Sequence, residues 1–110
     1  MPDDTTTLAM RHKPVGVIDI GSNSVRLVVY SGVMRTPIPI YNEKAICALG
    51  RDLESKGKLN PDGIEKALDT LIRFKALARS MGLERVDVLG TAAVRDASDG
   101  PDFVTRVKEQ

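Results

Sequence analysis

Two short runs rich in β-branched residues, Val15–Ile20 (VGVIDI) and residues 25–30 (VRLVVY), are separated only by Gly21, Ser22, Asn23 and Ser24. Four residues of that turn chemistry between two strands make an antiparallel hairpin the simplest geometry. A chain organised this way must build a sheet. Ser31 and Gly32 give the next break, and Pro37 and Pro39 predict an edge or late-starting third strand over residues 40–49. Residues 1–14 hold three consecutive threonines and two prolines without periodicity, and read as a disordered lead-in.

The remainder alternates helix and strand. Residues 50–58 are polar with two glycines and read as a loop. Asn60 followed by Pro61 reads as an N-cap with proline at the first helical position. Ile64, Ala67, Leu68, Leu71, Phe74, Ala78 and Met81 recur at three- and four-residue steps, one apolar stripe on a helix that Gly82 closes. Residues 85–91 (RVDVLGT) form a fourth strand and residues 92–97 a short helix. A last helix restarts at Asp99, Gly100 and Pro101 with Phe103, Val104 and Val107 inward. The order β-β-β-α-β-α predicts an α/β layer with a mixed sheet, one face covered by the long helix.

Composition excludes several functions. The formal charge is +1, from sixteen basic and fifteen acidic side chains that are interspersed, too weak a field to hold nucleic acid or a membrane surface. No apolar run approaches the roughly 18 residues of a membrane span, and no apolar segment precedes the first strand. The single cysteine, Cys47, lies in an apolar stretch and reads as a small buried hydrophobe; with these features the expected setting is reducing and cytoplasmic. Walker and dinucleotide fingerprints, a Cys/His zinc cluster and a Ser/His/Asp set are all missing from the sequence.

Two stretches carry candidate chemistry. Asp19 ends an apolar strand, where a carboxylate is costly unless compensated. Gly21 permits close backbone approach, and Ser22, Asn23 and Ser24 offer hydroxyl, amide and backbone donors in a turn suited to phosphate. Asp19 beside that turn is placed to hold Mg²⁺, directly or through water. An ordinary hairpin turn with Asp19 as its cap fits the pattern equally well. In residues 90–97 (GTAAVRDA), Thr91 offers a hydroxyl, Arg95 a forked cation, and the helix start favours an anion. Taken alone, that stretch is better explained by Thr91 as an N-cap with surface charges behind it. Arg26 and Arg51 are weaker basic candidates; Arg51 sits in the 50–58 loop, within reach of a polyanion.

Three segments in order, GVIDIGSNSVRLVVY, ALGRDLESKGKLNPDGIEKAL and VLGTAAVRDASDGPDFV, resemble the start of the exopolyphosphatase/guanosine pentaphosphate phosphohydrolase (Ppx/GppA) family. The resemblance implies a ribonuclease-H-like fold of the actin, sugar kinase and heat-shock 70 superfamily, of which residues 15–110 form a partial domain. It implies that Gly21, Ser22, Asn23 and Ser24 are the first phosphate-binding loop, with Asp19 near a divalent Mg²⁺ and Arg95, after Thr91, on the phosphate chain. The implied substrate is polyphosphate, with guanosine pentaphosphate as the alternative and a non-catalytic phosphate- or alarmone-binding module as a third reading. A homodimer is implied for the longer protein. The family's water-activating glutamate and second glycine-rich loop are expected beyond Gln110, since Glu109 lacks the matching context. The expectation is therefore an N-terminal portion that is inactive alone.

Overall fold

The computed structural model describes residues 13–32 and 38–110. Apart from Lys13 and Pro14, the expected lead-in lies outside the described residues, as does Pro37. Strand β1 (Val15–Ile20) and strand β2 (Ser24–Tyr30) form the expected antiparallel hairpin, in which Gly21 N–H donates to the Ser24 carbonyl at 2.9 Å. Strand β3 (Pro39–Ile46) pairs antiparallel with β2, and strand β4 (Arg85–Gly90) pairs parallel with β1. The sheet order β3-β2-β1-β4 is mixed, with β3 at one edge, where proline is tolerated.

Helix α1 (Leu53–Lys56) is a single turn inside residues 50–58, a segment expected to be all loop. It forms because Lys56 and Gly57 N–H reach back to the Asp52 and Leu53 carbonyls at 2.9 and 2.8 Å. Helix α2 (Pro61–Met81) has the expected bounds and ends at Gly82 in the left-handed region, φ 66°. Its cap differs from expectation. Asn60 is buried and its amide donates to the Ala48 carbonyl at 3.3 Å, with no side-chain bond to the helix. A buried amide must find a partner, and the neighbouring loop supplies one. Helices α3 (Ala92–Asp96) and α4 (Gly100–Lys108) complete the chain. On α4, Phe103 is buried and Val107 half-buried, whereas Val104, expected inward, is exposed. A helix of nine residues turns only a narrow face inward, and Phe103 fills it.

Register puts Ile18 and Ile20 on the same sheet face as Val25 and Leu27 of β2 and Val88 of β4. Against that face α2 lays Ala67, Leu68, Leu71 and Phe74, and these residues, with Val29, Cys47, Leu49, Leu59, Val94, Ala97 and Phe103, form the core. Cys47 is buried as expected, its sulfur 3.8 Å from the Thr70 hydroxyl. At the β3 edge the Arg73 guanidinium of α2 pairs with the Glu43 carboxylate, which also accepts the Tyr41 hydroxyl at 2.9 Å. These contacts hold the Glu43 carboxyl below the ordinary carboxylate range, Arg73 first and Tyr41 second. Val86, Val88 and Leu89 of edge strand β4 stay exposed, beside a groove of about 430 Å³ lined by Ile18, Phe74, Val88 and Val107 among others. Among the described residues no helix is long and apolar enough to cross a membrane.

Candidate phosphate site

Because β1 and β4 run parallel and Ile20 is the register partner of Gly90, both strands release their following segments at one end of the sheet. In open α/β sheets that carboxyl end is where ligands bind. The 21–24 loop emerges from β1 there, and α3 emerges from β4. Thr91 joins them: its N–H and its hydroxyl both donate to the Ile20 carbonyl at 3.1 Å. The Thr91 hydroxyl proton is therefore engaged at the base of the loop.

The 21–24 loop is braced through its carbonyls. Gly50 N–H donates to the Ser22 carbonyl at 2.8 Å, and Cys47 and Ala48 N–H both donate to the Asn23 carbonyl at 2.9 Å. A trans peptide points its N–H opposite its C=O. The Asn23 N–H is thus aimed away from the brace. Neither Ser22 N–H nor Asn23 N–H is hydrogen-bonded to another described residue, and both residues are exposed. Ser24, half-buried, opens β2 beside them. Two unbonded amides with serine and asparagine side chains form a turn of donors facing solvent, the arrangement that holds a phosphate.

Asp19 is exposed on the sheet face opposite Ile18 and Ile20, in register with Arg26. The Arg26 guanidinium donates to the Asn42 side-chain oxygen at 3.1 Å, and among the described residues Asp19 has no ion pair. No group of three or more His, Cys, Asp or Glu side chains gathers among the described residues. A single free carboxylate suits Mg²⁺, which keeps several waters and takes its remaining oxygens from substrate phosphates. Arg95 is exposed on α3, with no ion pair among the described residues.

Nothing in the local pattern around residue 50 marks the seat made by Gly50. A Cβ at Gly50 lies 2.6 Å from the Ser22 hydroxyl, 3.3 Å from Ser22 Cβ and 3.4 Å from Ala93 Cβ. Three segments distant in sequence meet on one hydrogen atom. Ala48, two residues earlier, holds φ 53°, a conformation costing about 1 kcal/mol outside glycine. Its N–H and carbonyl bind Asn23 and Asn60, which offset that strain. Gly50→Ala is expected to turn the Ser22 hydroxyl off its rotamer, costing about 1 kcal/mol of stability. Urea midpoints at constant m-value check it.

Residues 27–110 match the Ppx/GppA phosphatase family, beginning just after the 21–24 loop. Exopolyphosphatase 1 of Mycobacterium tuberculosis is 34% identical over 97 residues, which cover 87% of this chain and 28% of the relative. The guanosine-5′-triphosphate,3′-diphosphate pyrophosphatase of Photobacterium profundum is 28% identical over 92 residues, covering 84% of this chain and 18% of the relative. The crystal structure of the Aquifex aeolicus Ppx/GppA family member superposes with a TM-score of 0.82 at 34% identity, over 88% of this chain and 32% of that one. The chain thus spans less than a third of the length of these relatives.

Proposed function

The chain belongs to the Ppx/GppA phosphatase family, and from that footing we propose that it forms one wall of an exopolyphosphatase site, where the terminal phosphate of inorganic polyphosphate is transferred to water. The observation that carries this reading is the meeting, at the ends of β1 and β4, of the unbonded Ser22 and Asn23 amides with the helix that bears Arg95. Phosphoryl transfer to water needs positioning and neutralised charge more than covalent chemistry. In this reading the 21–24 loop grips the terminal phosphate, Arg95 takes charge from the chain, and Thr91 keeps loop and helix in register. Mg²⁺ held by Asp19, when bound, supplies further charge neutralisation on the phosphate oxygens. The water-activating glutamate is assigned, by family resemblance, to a segment after Gln110, which makes residues 15–110 the N-terminal portion of a ribonuclease-H-like domain. A cytoplasmic setting and a possible homodimer belong to the same proposal.

A relative named as a guanosine-5′-triphosphate,3′-diphosphate pyrophosphatase supports a second reading, in which the phosphate chain is that of guanosine pentaphosphate. Polyphosphate is preferred because the identity to exopolyphosphatase 1 of Mycobacterium tuberculosis, 34%, exceeds the 28% to that pyrophosphatase. The test is phosphate release, with Mg²⁺, by the natural protein that carries this chain. Faster release from long-chain polyphosphate than from guanosine pentaphosphate is expected, and the reverse order moves the assignment to the second reading. Release from neither substrate sinks the hydrolase reading. The 110 residues alone are expected to release none; full activity from them overturns the placement of the water-activating group.

A further inference from the structure

We propose that Arg51 is a substrate-binding residue of this site, engaging the phosphate units next to the one in the 21–24 loop and so favouring long phosphate chains over short ones. The proposal rests on the polyphosphate reading above. Gly50 touches the loop directly, with its N–H on the Ser22 carbonyl at 2.8 Å and its Cβ position 2.6 Å from the Ser22 hydroxyl. Consecutive Cα atoms are about 3.8 Å apart, so the Arg51 side chain starts one residue from contact with Ser22. Its backbone is fixed as well: Arg51 N–H donates to the Ala48 carbonyl at 3.2 Å, and Ala48 is itself bound to Asn23.

The guanidinium is available. Arg73, Arg85 and Arg106 are each paired with a carboxylate, Glu43, Asp87 and Glu65 respectively. Arg51 is exposed and has no such pair among the described residues. Asp52 and Glu54 follow it in the chain and keep the local net charge low. Attraction by net charge is therefore a poor explanation for binding here. The forked, bidentate geometry of a guanidinium on phosphate oxygens is the better one.

An interaction made equally in ground and transition states sets KM and leaves kcat alone. In the natural protein carrying this chain, Arg51→Gln is expected to raise the KM for long-chain polyphosphate about ten-fold, with kcat unchanged. Inhibition by orthophosphate, a single unit that fills the loop and offers nothing to Arg51, is expected to stay at the wild-type level. Arg51→Lys restores part of the loss. Arg79→Gln, an exposed charge at the far end of α2, leaves KM unchanged. If Arg51→Gln leaves KM unchanged, weakens orthophosphate equally, or is matched by Arg79→Gln, the assignment of Arg51 is wrong. A wild-type protein that neither binds nor cleaves polyphosphate defeats the underlying function instead, so the two failures are distinguishable.

Discussion

Replacing Arg95 by alanine is expected to lower kcat for phosphate release from polyphosphate by about 10²–10³-fold, while stability stays within about 0.5 kcal/mol of wild type. Arg95 sits in the last turn of α3, exposed and without an ion pair among the described residues, so truncation breaks no contact of the fold. Alanine also continues a helix well. The helix itself is held in place by Thr91, whose two bonds to the Ile20 carbonyl survive the substitution. On the proposed reading, what disappears is a cation that neutralises charge building as the terminal phosphate departs. Arg95→Lys keeps the charge but not the fork, and is expected to recover only part of the rate. A wild-type kcat in Arg95→Ala removes this residue from the site, whatever becomes of Arg51.

Phe74→Ala is expected to cost about 3–5 kcal/mol of folding stability. Phe74 is completely buried at the centre of the α2 stripe and lines the same groove as Ile18, Leu71 and Ala78. The Arg73 guanidinium carbon lies 5.3 Å from its ring centroid, so the ring also anchors the residue that pairs with Glu43. Against the roughly 5–15 kcal/mol available to a small domain, losing this ring removes a large share. Ile72 is the control: it is adjacent in sequence but 52% exposed, and its truncation to alanine should cost no more than about 0.5 kcal/mol. Urea midpoints at constant m-value measure both. A loss below about 1 kcal/mol for Phe74→Ala contradicts the packing described.

Local pattern carried the elements whose neighbours are close in sequence. The 15–30 hairpin follows from two β-branched runs and a four-residue turn, and the bounds of α2 follow from Pro61, the apolar stripe and Gly82. Where partners are distant, pattern was silent. Nothing near Asn60 reveals that its amide turns to Ala48, and nothing near Gly50 reveals that Ser22 and Ala93 close over it. Ala48 is the clearest case, since alanine has no preference for the left-handed region that the contacts to Asn23 and Asn60 impose. At the site, the residue types pointed to an anion. The sequence could not divide the work, with Thr91 bracing the loop while Ser22 and Asn23 keep free donors.

The open edge at β4 has a practical meaning for anyone purifying these 110 residues. A strand with no outer partner among the described residues, whose Val86, Val88 and Leu89 are partly exposed, is a template on which another extended chain can add hydrogen bonds and bury apolar surface. Only Arg85 and Asp87, already paired with each other at 3.4 Å, interrupt it with charge. A lysine at Leu89, on the sheet face of Asp19 rather than on the core face, is the substitution expected to lessen association through that edge.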